Sequence, residues 1–179
     1  MEIIKSQSLR GISDEHDIVV YDTSIVICAG VRKDMNIPSD LEMDLNKCDN
    51  LVTHFDVYKE AHGVMRRLTK NTRQCGFNLG RVYSAALEYL MPTAQRRGII
   101  DTRKERPMTD VRLAALAFAT AHHRRSVAFV SSDRELNSMI CNIYGLCNQN
   151  GSDFPFSLNN LDVYSYIQSR HIFVSYVDE

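Results

Sequence analysis

No apolar stretch in this chain approaches the roughly 20 residues that a membrane-spanning helix needs. The N-terminal MEIIKSQSLRGISDEHD has no secretory hydrophobic region either, so a cytoplasmic protein with no membrane partner is expected. A cysteine framework is also missing. The five cysteines (Cys28, Cys48, Cys75, Cys141 and Cys147) are odd in number and scattered, which argues against disulfides and suits a reducing compartment. Cys141 and Cys147 stand too far apart for the CxxC half of a zinc site, and His122-His123 has no cysteine at ligand spacing, so no structural zinc is expected. No internal repeat or low-complexity tract is visible. What is present is ordinary for a globular chain: 44% apolar and 24% charged residues argue against disorder or a fibrous structure, and 179 residues is the length of a single domain.

A net charge of −1 conceals an uneven distribution. From Lys59 to Arg134 there are 15 Lys/Arg against 6 Asp/Glu, a balance of +9, whereas the rest of the chain has 6 against 16, a balance of −10. Arg66, Arg67, Lys70, Arg96 and Arg97 are among the excess cations. Such a basic middle suits a phosphate backbone, although solvated helix faces give the same clustering.

Short apolar runs alternate with helical patterns along the chain. Ile18 to Tyr21 is apolar on consecutive positions, as in a strand buried on both faces. Ser24 to Ala29 predicts a helix ended by Gly30, and the acidic segment 32–50 a loop with a short helix from Ser39-Asp40. Leu51 to Phe55 predicts a second strand. Val57, Ala61, Val64, Met65 and Leu68 then recur at helical spacing, giving a helix over Asp56 to Thr69. Another helix is expected over Leu79 to Leu90, stopping at Pro92, with Gly98-Ile99-Ile100 as a candidate third strand. Thr109 is a good N-cap for DVRLAALAFATAHH, which is apolar nearly all round and must be largely buried. Ser126 to Val130 predicts a strand, Arg134 to Ile143 a helix, NQNGSDFPFS a loop, Leu158 to Gln168 a helix, and HIFVSYV a last strand. The first 16 residues are polar and mixed, read as an arm or an extra strand. This alternation predicts an α/β fold, a three-layer sandwich around a mainly parallel sheet of about four to five strands. One domain over 1–179 is expected, with a polar arm (1–16) and an acidic insertion (32–50).

Ligands of such sheets bind at the carboxyl ends of the strands, near the switch in strand order. Asp22 closes the first strand, Asp133 follows the strand ending at Val130, and Asp110 lies in the first turn of the buried helix that leads into it. Taken singly, Asp110 is explained by the helix dipole, Asp133 by an N-cap, and Asp22 by a Thr-Ser turn. Taken together they put three carboxylates on one rim, where a cation between them relieves their repulsion. Hard oxygen donors without His or Cys select Mg²⁺ or Mn²⁺.

VVYDTSIVI, TDVRLAALAFA and VAFVSSDREL resemble the three most recognisable segments of the PIN domain family (PilT N-terminus), in the expected order and at fitting separations over about residues 17–145. The resemblance implies an α/β sandwich with a parallel sheet, and a metal-dependent endoribonuclease in which Asp22, Asp110 and Asp133 are catalytic and metal-binding. A fourth acid of the family falls after the second strand; Glu60 fits that place best, with Glu88 in SAALEYL as the rival. Either Glu could equally be an exposed helical residue. Thr23, Ser24 and Ser131 would hydrogen-bond the carboxylates or a substrate phosphate. Arg112 and Arg134, with Arg66 and Arg67, are candidate RNA contacts, and a salt bridge is the other reading of the first two. The implied partners are RNA, single-stranded, a second copy in a homodimer, and an antitoxin protein if the chain is a toxin of the VapBC type. The family also contains enzymes of RNA processing and decay, and the extra length of this chain weighs against the compact toxins.

Two other readings compete. A phosphotransferase of the haloacid dehalogenase type also starts from an Asp at the end of a first strand, but it needs a second acid two positions on, where Ser24 stands. The stronger alternative is a PIN-like domain that has lost cleavage and serves as an RNA-binding or protein-interaction module.

Overall fold

Val19, Val20 and Tyr21 are fully buried, and a strand apolar on consecutive positions has to be covered on both faces. The computed structural model, which describes residues 7–30, 39–60, 72–75, 80–96, 109–124, 126–150, 158–170 and 172–175, provides that cover. In chain order the elements are α1 (Leu9–Glu15), β1 (Ile18–Tyr21), α2 (Thr23–Gly30), α3 (Asp40–Lys47), β2 (Leu51–His54), α4 (Phe55–Glu60), β3 (Arg73–Cys75), α5 (Gly80–Arg96), α6 (Thr109–His123), β4 (Val127–Ser131), α7 (Arg134–Asn150), β5 (Leu161–Ile167) and β6 (Ile172–Ser175). The strands form one six-stranded sheet, ordered β3-β2-β1-β4-β5-β6. The first five in that order run parallel and β6 is antiparallel to β5. The expected α/β sandwich with a mainly parallel sheet is therefore the architecture, with more strands than the apolar runs announced.

The all-round apolar α6 lies across β1, β2, β4 and β5 and is backed by α5, while α7 packs on β4 and β5. The chain moves one way from β1 to β3 and the other way from β3 to β5, so right-handed crossovers place the helices of the two halves on opposite faces. On the second face α1 and α2 both pack on α3, whose Leu41 and Leu45 are buried and whose N-terminus is capped by Ser39 (Glu42 N–H to Oγ, 3.1 Å).

Several expectations are corrected. Residues 158–168 are not helical: LDVYSYI is β5, because its β-branched and aromatic side chains pair between β4 and β6. Pro92 does not stop α5, since Leu90 and Ala94, fully buried on either side of it, keep the helix docked while Pro92 itself faces solvent. Helix α7 runs past Ile143 and Gly145 to Asn150. Thr109 is the first residue of α6 rather than the one before it, a one-residue difference of the kind common at helix ends. The short polar β3 had no apolar signature and exists through its pairing with β2. Gly98, Ile99 and Ile100 lie outside the described residues, as do residues 61–69 of the helix expected after β2.

Residues 9–15 form neither an arm nor a strand but α1, with Leu9 and Ile12 in the core. Before it, Gln7 makes an antiparallel bridge to Phe173 of β6, with both N–H to carbonyl bonds at 2.9 Å. After it, the Asn50 side-chain amide donates to the carbonyls of Ser13 (2.9 Å) and His16 (2.8 Å), tying α1 to the entry of β2. Among the described residues no helix is long and apolar enough to cross a membrane.

Candidate functional site

The strand order reverses at β1, which the chain leaves for β2 and β3 on one side before returning to β4 on the other. Side chains at the carboxyl ends of β1 and β4 therefore face the crevice where open α/β sheets hold ligands. Asp22 follows β1 directly, and its N–H donates to Val130 of β4 at 3.2 Å. Its side chain belongs to a residue only 5% exposed. Oδ2 accepts two hydroxyls, from Ser24 and from Ser131, each at 2.6 Å, and among the described residues none donates to Oδ1. The two serines are in turn acceptors: Ser131 Oγ takes the Asp133 N–H at 2.9 Å and Ser24 Oγ the Ser132 N–H at 3.0 Å. Each hydroxyl thus gives its one proton to the carboxylate and fixes the turn after β4 with its lone pairs. Short charge-assisted bonds of this kind offset part of the cost of burying a carboxylate.

Asp133 is exposed and caps α7, its Oδ1 accepting from Glu135 N (2.8 Å) and Leu136 N (3.2 Å). Asp110 is half-buried in the first turn of α6. That turn stands over the carboxyl ends of the strands, because Arg112 within it is hydrogen-bonded to Asp56, just past β2. Asp22, Asp110 and Asp133 accordingly share one rim of the sheet. Among the described residues no three His, Cys, Asp or Glu are grouped closely enough to hold a metal ion, and the Glu60 side chain lies outside them. Glu88 is exposed on α5, Arg134 is exposed at the start of α7, and Thr23 is half-buried at the start of α2. Arg66 and Arg67 lie outside the described residues. The donor chemistry around Asp22 suits a hard cation: the carboxylate is buried with one oxygen anchored, and the side chains bonded to it are hydroxyls, so the donors there are all oxygen.

Beside this rim is a polar cluster in which Arg112 takes the salt-bridge role, its other expected reading, with a partner, Asp56, not anticipated from the sequence. Asp56, in the first turn of α4, pairs with Arg112, and Lys59 stands 3.9 Å away. Below it, fully buried His54 accepts the Asp56 N–H at Nδ1 (3.2 Å), which leaves the proton on Nε2, facing the Tyr83 hydroxyl at 3.3 Å. Burial, aided by the Arg112 and Lys59 charges against that of Asp56, holds the His54 pKa below its ordinary value. The ring is neutral, so the 3.5 Å approach of the Asp56 carboxylate is not an ion pair. Burial also pushes the Tyr83 phenol up to about 12. Asp56 had a signal in the sequence, an acid just past an expected strand, as at Asp22 and Asp133. Cys28 of α2 lies near Asp22, but burial raises its thiol pKa despite a hydrogen bond with Ser132, which argues against a thiolate nucleophile.

Comparison of the chain with models of known protein families, with curated proteins and with solved structures found no match in any of the three.

Proposed function

We propose that the chain is a divalent-metal-dependent ribonuclease that hydrolyses RNA phosphodiester bonds. The observation that carries this reading is the state of Asp22: a buried carboxylate at the reversal of strand order, with both its hydroxyl donors on one oxygen. Asp22, Asp110, Asp133 and Glu60 would hold Mg²⁺ or Mn²⁺, which when bound supplies an activated water and neutralises phosphate charge. Ser24 and Ser131 keep the Asp22 carboxylate oriented, and Thr23 stands beside it at the start of α2. Arg134 and the basic stretch 59–134 would receive the phosphates of single-stranded RNA, whereas Arg112 is already held by Asp56. The role is that of a toxin with an antitoxin partner or of an RNA-processing or decay enzyme, acting in the cytoplasm, with a homodimer as the proposed assembly.

A second reading, a module that binds RNA or protein without cleaving, is favoured by Asp133, whose capping bonds explain it without a metal. Cleavage of single-stranded RNA with Mn²⁺ separates the two, with EDTA and the Asp22→Asn variant as controls. Loss of activity in both controls, by about 100-fold or more, supports the nuclease. Equal cleavage by variant and wild type, or none by either, overturns it; RNA retention without cleavage supports the binding module.

A further inference from the structure

Two first turns meet above the end of β2. Helix α4 follows His54 with no intervening loop, so Asp56 in its first turn is anchored to the sheet through its own N–H, bonded to His54 Nδ1. His54 is itself immobilised, with no exposed surface and with its ring stacked on Tyr83 at a centroid separation of 6.2 Å and an angle of 10°. The Asp56 carboxylate reaches across to the guanidinium of Arg112 in the first turn of α6, and the two side chains are only 15% and 16% exposed. A part-buried ion pair adds little net stability over an apolar pair of the same volume, but it fixes the relative placement of the elements that carry it. On a helix of 3.6 residues per turn, positions two apart point about 200° from one another, so Arg112 and Asp110 leave α6 on opposite sides. Holding Arg112 therefore sets the rotation of the turn that presents Asp110.

We propose that the Asp56–Arg112 pair is a positioning device for Asp110 and thereby sets the affinity of the rim for Mg²⁺ or Mn²⁺. This rests on Asp110 belonging to the metal site proposed above. It makes a prediction that local charge does not. By charge alone, Asp56→Asn should weaken cation binding and Arg112→Gln should tighten it. By positioning, both weaken it.

The test is Mn²⁺ binding to the full chain, read by calorimetry and by the electron paramagnetic resonance of free Mn²⁺. About tenfold weaker binding is expected for Asp56→Asn and for Arg112→Gln, and no further loss when either is added to Asp110→Asn, as befits residues acting through one another. If Arg112→Gln fails to fold, D56N/R112Q, which removes both charges of the pair, should show the same tenfold loss. Tighter or unchanged binding in Arg112→Gln, or losses that add to that of Asp110→Asn, would overturn the positioning role alone. A wild-type chain that binds no Mn²⁺ overturns the metal-site reading as well.

Discussion

Ser131 donates to the Asp22 carboxylate at 2.6 Å across the junction of β1 and β4, and its own oxygen receives the Asp133 N–H. The Ser131→Ala variant loses both bonds at a fully buried position. Asp22 is left with one donor to its anchored oxygen, and the Asp133 amide with none from Ser131. Such removals typically cost about 1–3 kcal/mol, so the urea midpoint should fall with an unchanged slope. A loss below about 0.5 kcal/mol, the range of surface substitutions, would mean that the hydroxyl network does not hold the carboxylate.

His16 caps the end of α1 with both ring nitrogens against acceptors, Nδ1 on the Ile12 carbonyl at 2.9 Å and Nε2 on Asp162 at 3.0 Å. Only the doubly protonated ring satisfies both. Burial by itself would lower the pKa, but the bonds to Asp162 and Ile12, with the Glu15 charge, hold it above the ordinary value. Since the unfolded value is near 6.5, the contribution is complete below that pH and is lost as pH rises through the folded value. The Asp162→Asn variant should therefore be less stable than wild type at pH 5.5, by about 1 kcal/mol given the 64% exposure of Asp162, and nearly equal at pH 8.5. A gap that is the same at both pH values would contradict this.

Pro92 is exposed in the interior of α5, where it can donate no N–H to the preceding turn. Pro92→Ala should raise the melting temperature, by an amount corresponding to about 1–3 kcal/mol at most, since the flanking Leu90 and Ala94 are already seated. An unchanged or lower melting temperature would show that the rigidity of Pro92 in the unfolded chain outweighs its fault in the helix.

The parts of the fold that were legible were those whose cause is local. β1, and β4 as far as Val130, are apolar at every position because helices cover both sides, and Asp22 stood out against that background. Ser39 and Asp133 cap helices in the way their residue types suggest. β5 was misread because Leu161, Tyr164 and Ile167 recur at helical spacing as well, and only the neighbouring strands decide between the periods. The polar β3 carried no pattern at all. Arg112 and Asp56 are 56 positions apart, and nothing along the chain announces that their helices begin side by side.

The bridge between Gln7 and Phe173, with the bond between His16 and Asp162, makes the earliest and latest described segments depend on each other. α1 itself packs on β1 and α3, but the Gln7 bridge and the His16 bond can close only after β5 and β6 have been synthesised, so these are late contacts of large sequence separation. Until then the outer edge of β6 lacks its pairing partner at Phe173. A chain cut before Ile172 would not merely lose one short strand: it would leave β5 as a bare edge open to pairing with other chains, and take from Gln7 its bridge partner as well.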